Sequence, residues 1–292
     1  MKILVVSNCA TLAYVNNLKL VFPDADIRGA RLDVAEKWLT TERKEAFADF
    51  MKEADFLVGA TPTEHTFLEV GPHTQVLSIP PFLFRGLQPD VIQLFGGPPS
   101  VLGKEGVIYS RIIATAFIEG LDEQQAEACF HEDVYAATGY FNAYDQELKT
   151  VAADFDGTGI NISDMIEEWK QEGPFLFLPN HGMKHVYFDI VWALLSSHGL
   201  LPAGTPEKQE LASRAECIFP KPASWPVYPE IAAQLGVEGS MHWTTAITAG
   251  HETLDLHDFV SRSYENLRAF GAIKPEQVPG FDHCSAAVHA QM

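Results

Sequence analysis

The fold can be inferred from residues 1–15, MKILVVSNCATLAYV, where an apolar run ends abruptly in polar residues. The run from Ile3 to Val6 predicts a buried β-strand. The pattern of the following residues, LAYVNNLKLVF, predicts a helix, so Asn8 and Cys9 fall in a strand-to-helix turn. In an open parallel sheet, ligands bind beyond the carboxyl ends of the strands. The opening stretch therefore places Asn8 and Cys9 at a candidate ligand-binding edge.

Short β-rich runs alternate with helical patterns further along the chain. We expect five more strands, at Ala25 to Arg28, Asp55 to Val58, Gln75 to Ile79, Val91 to Phe95 and Phe175 to Leu178. Residues 36–54, EKWLTTERKEAFADFMKEA, predict a helix because their apolar side chains are spaced for one face. This alternation predicts an α/β fold, a parallel sheet with helices on both faces, within a single domain of residues 1–292.

Two regions depart from the alternation. Residues 110–172 are helical in pattern and predict an additional helical lobe. Residues 219–230, FPKPASWPVYPE, contain four prolines and predict an irregular or extended loop, either a lid or a plain surface loop.

The charge balance limits the partners. The chain has 20 Lys and Arg against 39 Asp and Glu, a net charge of −19. Nucleic acid and anionic membranes are therefore poor partners, because phosphate binding needs a basic face. We find neither a signal-peptide core nor an apolar run of membrane-spanning length, so we expect a cytoplasmic protein without a transmembrane segment. The four cysteines are far apart, as is typical of free thiols in a reducing compartment.

Cys9 is a candidate nucleophile. Thr11 is available to cap the helix that follows, and a helix N-terminus lowers the pKa of a nearby thiol. Asn8 and backbone N–H groups of the turn would supply donors for an oxyanion. The alternative is that Cys9 is a small buried hydrophobic residue, a common role for free cysteine.

A nucleophilic cysteine needs a base, and the sequence GPFLFLPNHGMKHVYFDIVWALL offers one. A second predicted strand ends there at Asn180 and His181, and a helix follows. We expect Cys9 with Asn8, and His181 with Asn180, to meet at one rim of the same sheet, with His181 as general base. A capping or packing role for His181 is the alternative.

A metal site is not expected. His181 and His185 are four residues apart, but no HExxH glutamate lies between them and no third ligand is indicated. If a metal did bind to His181 and His185, the candidates for its third ligand would be His242, His251 and His257.

Several motifs together resemble the WcbI-like polysaccharide biosynthesis family. VVSNCA after the first strand is similar to that family's VxGNCQ opening, and FLPNHGMKHVYFDIV to its NHP-containing strand-to-helix segment. The segments PPFLFRGLQPDVIQLFG, ATAFIEGLDEQQAEACF, GYFNAYDQELK and LDLHDFVSRSYENL resemble its intervening and final segments in order. Two positions depart from the family pattern, Ala10 in place of Gln and Gly182 in place of Pro.

The resemblance implies a coenzyme A-binding acetyltransferase of capsular polysaccharide synthesis, with an SGNH-hydrolase-like architecture. Residue by residue, it carries over Asn8, Cys9, Asn180 and His181 as catalytic positions. The implied partners are a small-molecule thioester, the acyl donor acetyl-CoA, and a saccharide acceptor. In so acidic a chain the coenzyme needs local cations, and the cofactor-binding candidates are Arg85, Arg111, Lys184, His185 and Arg262.

Two alternatives to acyl transfer stay open. An SGNH-like ester or thioester hydrolase would use water in place of the sugar. Such hydrolases carry a GDS serine block and a DxxH pair, whereas this chain has SNC and, at Asp255 to Asp258, DLHD. A non-catalytic ligand-binding protein would keep the pocket and need no reactive Cys9. Thiol reactivity discriminates between these classes.

Overall fold

The computed structural model describes residues 1–39, 44–103, 107–219 and 221–291. The chain divides into two compact units, each made of three segments. Unit 1 comprises Met1–Leu83, Thr150–Glu167 and Gly182–Ile218, and unit 2 comprises Phe84–Lys149, Glu168–His181 and Phe219–Met292. Compact units of this kind can belong to one domain, so the single-domain assignment stays a prediction.

The described residues contain ten strands and thirteen α-helices. The strands are β1 Lys2–Ser7, β2 Asp26–Arg31, β3 Phe56–Gly59, β4 Gln75–Ser78, β5 Val91–Gln93, β6 Ile108–Ser110, β7 Leu176–Leu178, β8 His181–Gly182, β9 Trp243–Thr244 and β10 Thr253–Leu254. The α-helices are α1 Thr11–Val21, α2 Leu32–Trp38, α3 Lys44–Glu53, α4 Arg111–Ile118, α5 Glu123–Ala128, α6 Glu132–Ala137, α7 Ala143–Asp154, α8 Ile162–Glu172, α9 Lys184–Ser197, α10 Lys208–Arg214, α11 Pro229–Leu235, α12 Leu256–Phe270 and α13 Phe281–His289.

Unit 1 is built on a four-stranded sheet in the order β2-β1-β3-β4. All three strand pairs are parallel, with Lys2 opposite Asp26, Ile3 opposite Phe56, and Phe56 opposite Gln75. The predicted α/β fold with a parallel sheet is therefore confirmed. The chain leaves β1 for β2 on one side and returns to β3 on the other, so the strand order reverses between β1 and β3. This is the topological switch point at which open α/β sheets bind ligands.

Side chains of β1 alternate between the two faces of the sheet, and both faces are covered. Leu4 and Val6 belong to one buried cluster with Phe47 of α3. Ile3, on the other face, lines an apolar pocket with Leu18 of α1. Burial on both faces explains why β1 reads as a continuous apolar run.

All six predicted strands form, but two of them lie outside the parallel sheet. β5 pairs antiparallel with β6, and β7 pairs with β8. The expectation that β1 and the strand before His181 belong to one sheet is therefore wrong for the described strands. Strands as short as Leu176–Leu178 carry an apolar run but no signal that identifies their partner.

The helical region and the proline-rich region, residues 110–172 and 219–230, agree with their predictions to different degrees. Residues 110–172 contain α4 to α8; the segment Thr150–Glu167 belongs to unit 1, and the residues on either side of it belong to unit 2. The proline-rich stretch is not a lid or a surface loop from Trp225 onward, because Trp225, Val227 and Tyr228 are buried. No helix in the described ranges combines the length and the apolarity that crossing a bilayer requires.

Candidate active site

The turn after β1 is held by Asn8. Its Oδ1 accepts a hydrogen bond from the Ala10 backbone N–H at 2.9 Å, and its carbonyl accepts from the Thr11 hydroxyl at 2.8 Å. The N-cap of α1 is Ala10, without a side-chain cap, so the prediction that Thr11 caps this helix is wrong. Because Oδ1 of Asn8 is occupied, the amide presents its Nδ2 hydrogens as donors.

Gly59 brings the end of β3 against the end of β1. Its φ is +106°, and a Cβ atom built on it would lie 2.2 Å from the Val6 carbonyl oxygen. That carbonyl accepts a hydrogen bond from the Ala60 N–H at 2.8 Å. A residue with a side chain would clash here and adopt a strained backbone. The glycine therefore fixes the end of β3 against the end of β1, at the switch point of the sheet.

Tyr187 of α9 connects the segment after His181 to the neighbourhood of Cys9. The Tyr187 hydroxyl accepts a hydrogen bond from the Gly182 N–H at 3.0 Å. Its ring packs edge-on against Tyr14 of α1, with centroids 5.8 Å apart. Burial raises the pKa of Tyr187 above the ordinary range, and the negative charge of an ionised Cys9 raises it further. Within unit 1, Gly182 and Cys9 thus approach the same tyrosine.

Cys9 lies partly exposed beyond β1, as the sequence predicts. Burial raises the pKa of its thiol, against the opposing effects of a hydrogen bond to its own backbone and of the Arg31 charge. The expectation of a pKa lowered by the helix N-terminus is therefore wrong for the free protein. Loss of hydration of a thiolate outweighs the stabilisation from the turn at this depth. Cys9 is consequently a neutral thiol at neutral pH.

His181 belongs to unit 2 and is also half-buried, as is Asn180 before it. The imidazole packs against Phe219, with ring centroids 4.4 Å apart and an interplanar angle of 33°. Burial lowers the pKa of His181 to about 4. The imidazole is therefore neutral at neutral pH and able to accept a proton. The pairing of His181 with Cys9 stays a prediction.

The predicted cofactor-binding residues lie in three different places. Arg85 and Arg111 line one cleft of unit 2. Arg262 forms an ion pair with Glu252 at 2.8 Å. Lys184 and His185 begin α9 in unit 1, with the Lys184 side chain exposed.

The DLHD block does not form a hydrolase-type acid and base pair. Asp255 caps α12 by accepting a hydrogen bond from the Asp258 N–H at 2.9 Å. His257 is exposed and bonded through Nδ1 to Glu127 at 2.7 Å. In the described ranges, no three or more His, Cys, Asp and Glu side chains are arranged to hold a metal ion.

Sequence reasoning missed Gly59 and Tyr187. Gly59 directly follows the predicted strand Asp55 to Val58 and is the last residue of β3, and a glycine at a strand end indicates a close backbone approach. Tyr187 carries no sequence signal, because an aromatic residue in an apolar helix is indistinguishable from ordinary core.

Fold and site together define a parallel α/β protein with a partly exposed thiol in the turn after β1, at the switch point of its sheet. A family model described as polysaccharide biosynthesis enzyme WcbI matches residues 2–203. The chain belongs to this family, as the sequence motifs predict, and it is thus a member of a family of polysaccharide biosynthesis enzymes.

One solved structure is similar over almost its full length. It is WcbI itself, described as a novel polysaccharide biosynthesis enzyme, in its native form without a disulfide bond between coenzyme A and a cysteine. The alignment covers 99% of this chain and 97% of that one, with a TM-score of 0.71 and 14% sequence identity. At this identity the likeness shows the fold. No curated protein matches the chain.

Proposed function

We propose that this protein is an acyltransferase of polysaccharide biosynthesis that takes an acyl group from coenzyme A and transfers it to a saccharide hydroxyl. The observation that carries the proposal is the position of Cys9, a partly exposed thiol just beyond β1 at the switch point of the parallel sheet. Family membership supports the assignment to polysaccharide biosynthesis. A coenzyme A and a cysteine are named together for the related WcbI structure, which supports the donor.

We assign both ends of the coenzyme, the thioester and the phosphates, to unit 1. The thiol of Cys9 and the Nδ2 donors of Asn8 suit the thioester. Helix α9 begins at Lys184, and its N-cap, Met183, makes no side-chain cap. A helix N-terminus with a lysine attracts phosphate through its partial positive charge. We therefore assign Lys184 and His185 to the phosphate end.

The chemistry assigned to the chain begins with two neutral groups. An acyl-CoA supplies an activated thioester. Cys9 Sγ attacks the thioester carbonyl carbon while its proton passes to the neutral imidazole of His181. Asn8 Nδ2 and a backbone N–H of the turn donate to the oxyanion, and Asn180 supports the His181 segment. Collapse breaks the carbon–sulfur bond to the donor, whose sulfur takes the proton back from His181.

The second half of the reaction regenerates the thiol. His181 removes the proton of a saccharide hydroxyl as its oxygen attacks the acyl-cysteine carbonyl. The Cys9 sulfur then leaves and takes that proton. An ester bond forms and a thioester bond breaks, so no oxidant or reductant is needed.

The test is mass spectrometry of the Cys9 peptide after incubation with acetyl-CoA and no acceptor. We expect an acetyl group on Cys9 in the wild type and none in Cys9→Ser, with the exposed Cys217 peptide as internal control. Turnover without an adduct would replace the acyl-cysteine step by direct transfer to the saccharide. Coenzyme binding without any turnover would contradict the enzyme assignment and leave a ligand-binding protein.

The pairing of Cys9 with His181 has a separate test. Cys9→Ser and His181→Ala should each abolish most turnover, and the double variant should be little worse than either one, because residues that act as a unit are not additive. Losses that multiply would show that the two residues act independently.

A further inference from the structure

Unit 2 contains a cleft of about 710 Å³ whose residues take no part in the acyl-transfer steps described above. Its lining consists of Arg85, Val91, Ile92, Gln93, Phe95, Arg111, Glu276, Gln277 and Pro279. Clefts of this volume are typical of sites for small ligands. The mixture of two cations, one carboxylate, two amides and an exposed ring indicates what such a ligand carries.

The two arginines have no carboxylate partner in the described part of the chain. Neither Arg85 nor Arg111 forms an ion pair there, although the chain carries a net charge of −19. Glu147 accepts a hydrogen bond from the Arg85 backbone N–H at 3.0 Å, and Arg85 lines the cleft. Two guanidinium groups without a carboxylate partner in the lining of one cleft offer donors to an anion.

Arg111 is held in place by its surroundings. Its guanidinium lies 5.5 Å from the centroid of the Tyr140 ring, and its backbone N–H donates to the Asp90 carbonyl at 2.9 Å. Its Nε is buried without a hydrogen-bond partner. A half-buried cation without its full set of hydrogen bonds costs free energy, and a bound anion offsets that cost. The arrangement is consistent with a binding role.

The charge of the lining favours a ligand with a single negative charge. Arg85 and Arg111 contribute two positive charges and Glu276 one negative charge, a sum of +1. A diphosphate or a coenzyme with several phosphate groups would place its charges beside the Glu276 carboxylate and be repelled. A carboxylate monoanion matches the sum and pairs with an arginine in a bidentate geometry.

The remaining polar lining fits hydroxyl groups. Gln93 provides an amide that both donates and accepts, and the Glu276 carboxylate accepts from hydroxyl donors. Gln277 donates from Nε2 to the Phe95 carbonyl at 3.3 Å and accepts the Lys274 N–H at 2.9 Å, which fixes the backbone beneath the Phe95 ring. Phe95 is 68% exposed, an unusual exposure for a phenylalanine. An exposed ring beside amide groups offers a flat apolar face for the C–H face of a sugar ring.

We propose that this cleft binds a uronic acid residue of a saccharide, with its carboxylate on Arg85 and Arg111, its hydroxyls on Gln93 and Glu276, and its ring against Phe95. The substrate class rests on the proposed function, since it takes the saccharide to be the acyl acceptor. The two arginines thereby become recognition residues for the acceptor and not partners of coenzyme A phosphates.

Equilibrium binding to the full chain without any acyl donor tests the proposal. Methyl glucuronide is the probe, and methyl glucoside, inorganic phosphate and coenzyme A are the comparison ligands, each followed by ligand-observed NMR. We expect methyl glucuronide to bind about tenfold more tightly than methyl glucoside. Arg85→Gln and Arg111→Gln should each weaken it by about tenfold or more, the loss of one charge-assisted hydrogen bond. The control is Arg268→Gln, which removes an exposed arginine bonded to Glu123 at 2.7 Å and should change nothing.

Because Arg111 packs on Tyr140, its variant is interpreted only if its melting temperature is unchanged. Phe95→Ala alters an exposed side chain and provides a second variant that should weaken the glucuronide by several-fold. Equal binding of glucoside and glucuronide, or no glucuronide binding, would overturn the proposal. Competition by coenzyme A that is lost in Arg85→Gln would assign the cleft to phosphates instead. Acetylation of Cys9 is a separate measurement, so failure of the acyl transfer and failure of this site are distinguishable.

Discussion

The buried imidazole of His181 predicts a specific loss of stability in mild acid. Its pKa is about 4 in the folded protein, against an ordinary value of 6.5. The unfolded chain therefore binds a proton on His181 at a pH where the folded chain does not. A folded-state pKa below the unfolded value means that stability is complete above pH 6.5 and falls as the pH drops towards 4.

The size of the effect follows from the two pKa values. Between pH 7 and pH 5, a shift from 6.5 to about 4 removes about 2 kcal/mol of unfolding free energy. His181→Gln keeps a neutral side chain at every pH, so the variant lacks this pH-dependent loss of unfolding free energy. Any loss of packing against Phe219 is independent of pH and cancels when the two pH values are compared.

The assay is urea unfolding of the wild type and of His181→Gln at both pH values. We expect the wild type to lose about 2 kcal/mol more than the variant on going from pH 7 to pH 5. The matched control is His257→Gln. Its exposed imidazole is bonded to Glu127, which raises the pKa of His257, so its favourable contribution is present below the unfolded pKa and is lost as the pH rises. Equal losses in the wild type and His181→Gln would refute the reasoning, as would an NMR titration of His181 near pH 6.5.

Three further outcomes follow from the geometry of unit 1. Because burial raises the pKa of the thiol, alkylation of Cys9 by iodoacetamide should accelerate up to pH 9 and beyond, and a rate that is already maximal at pH 7 would contradict this. Gly59→Ala should lower the free energy of unfolding, measured in urea, by about 2–4 kcal/mol, because the new Cβ clashes with the Val6 carbonyl and the backbone at this positive φ is strained. Gly173→Ala, with φ +123° and nothing within 4 Å of the added Cβ, should cost clearly less, and equal costs would exclude the contact. Tyr187→Phe leaves the buried Gly182 N–H without its acceptor and should cost about 1–3 kcal/mol, whereas wild-type stability in the same assay would show that the hydrogen bond is dispensable.

Local features of the sequence predict much of this fold. The apolar run of β1 and the strand-to-helix turn at Cys9 could be located because a strand buried on both faces has a distinctive composition. The family motifs at Asn8 and Asn180 could likewise be recognised without a structure. Neither signal depends on what lies opposite in space.

Partners distant in the chain could not be predicted. The strand that ends before His181 pairs with β8 and not with the parallel sheet, because strand pairing is set by packing that a three-residue run does not encode. The prolines of residues 219–230 predict a loop, yet Trp225 lies in the core and the Tyr228 hydroxyl donates to the buried Asp90 carboxylate at 2.7 Å. A run of prolines excludes regular hydrogen bonding, but it does not exclude burial when the aromatic residues between them have partners.

The pKa of Cys9 illustrates the same limit in the chemistry. From the sequence, a cysteine before a helix indicates a thiolate, because the helix N-terminus stabilises negative charge. In the fold, burial has the larger effect and raises the pKa of the thiol, while burial also lowers the pKa of His181. Both shifts disfavour a preformed thiolate–imidazolium pair. A catalytic role for Cys9 therefore requires proton transfer to occur with the substrate bound, when the developing oxyanion and the donors of Asn8 share the charge.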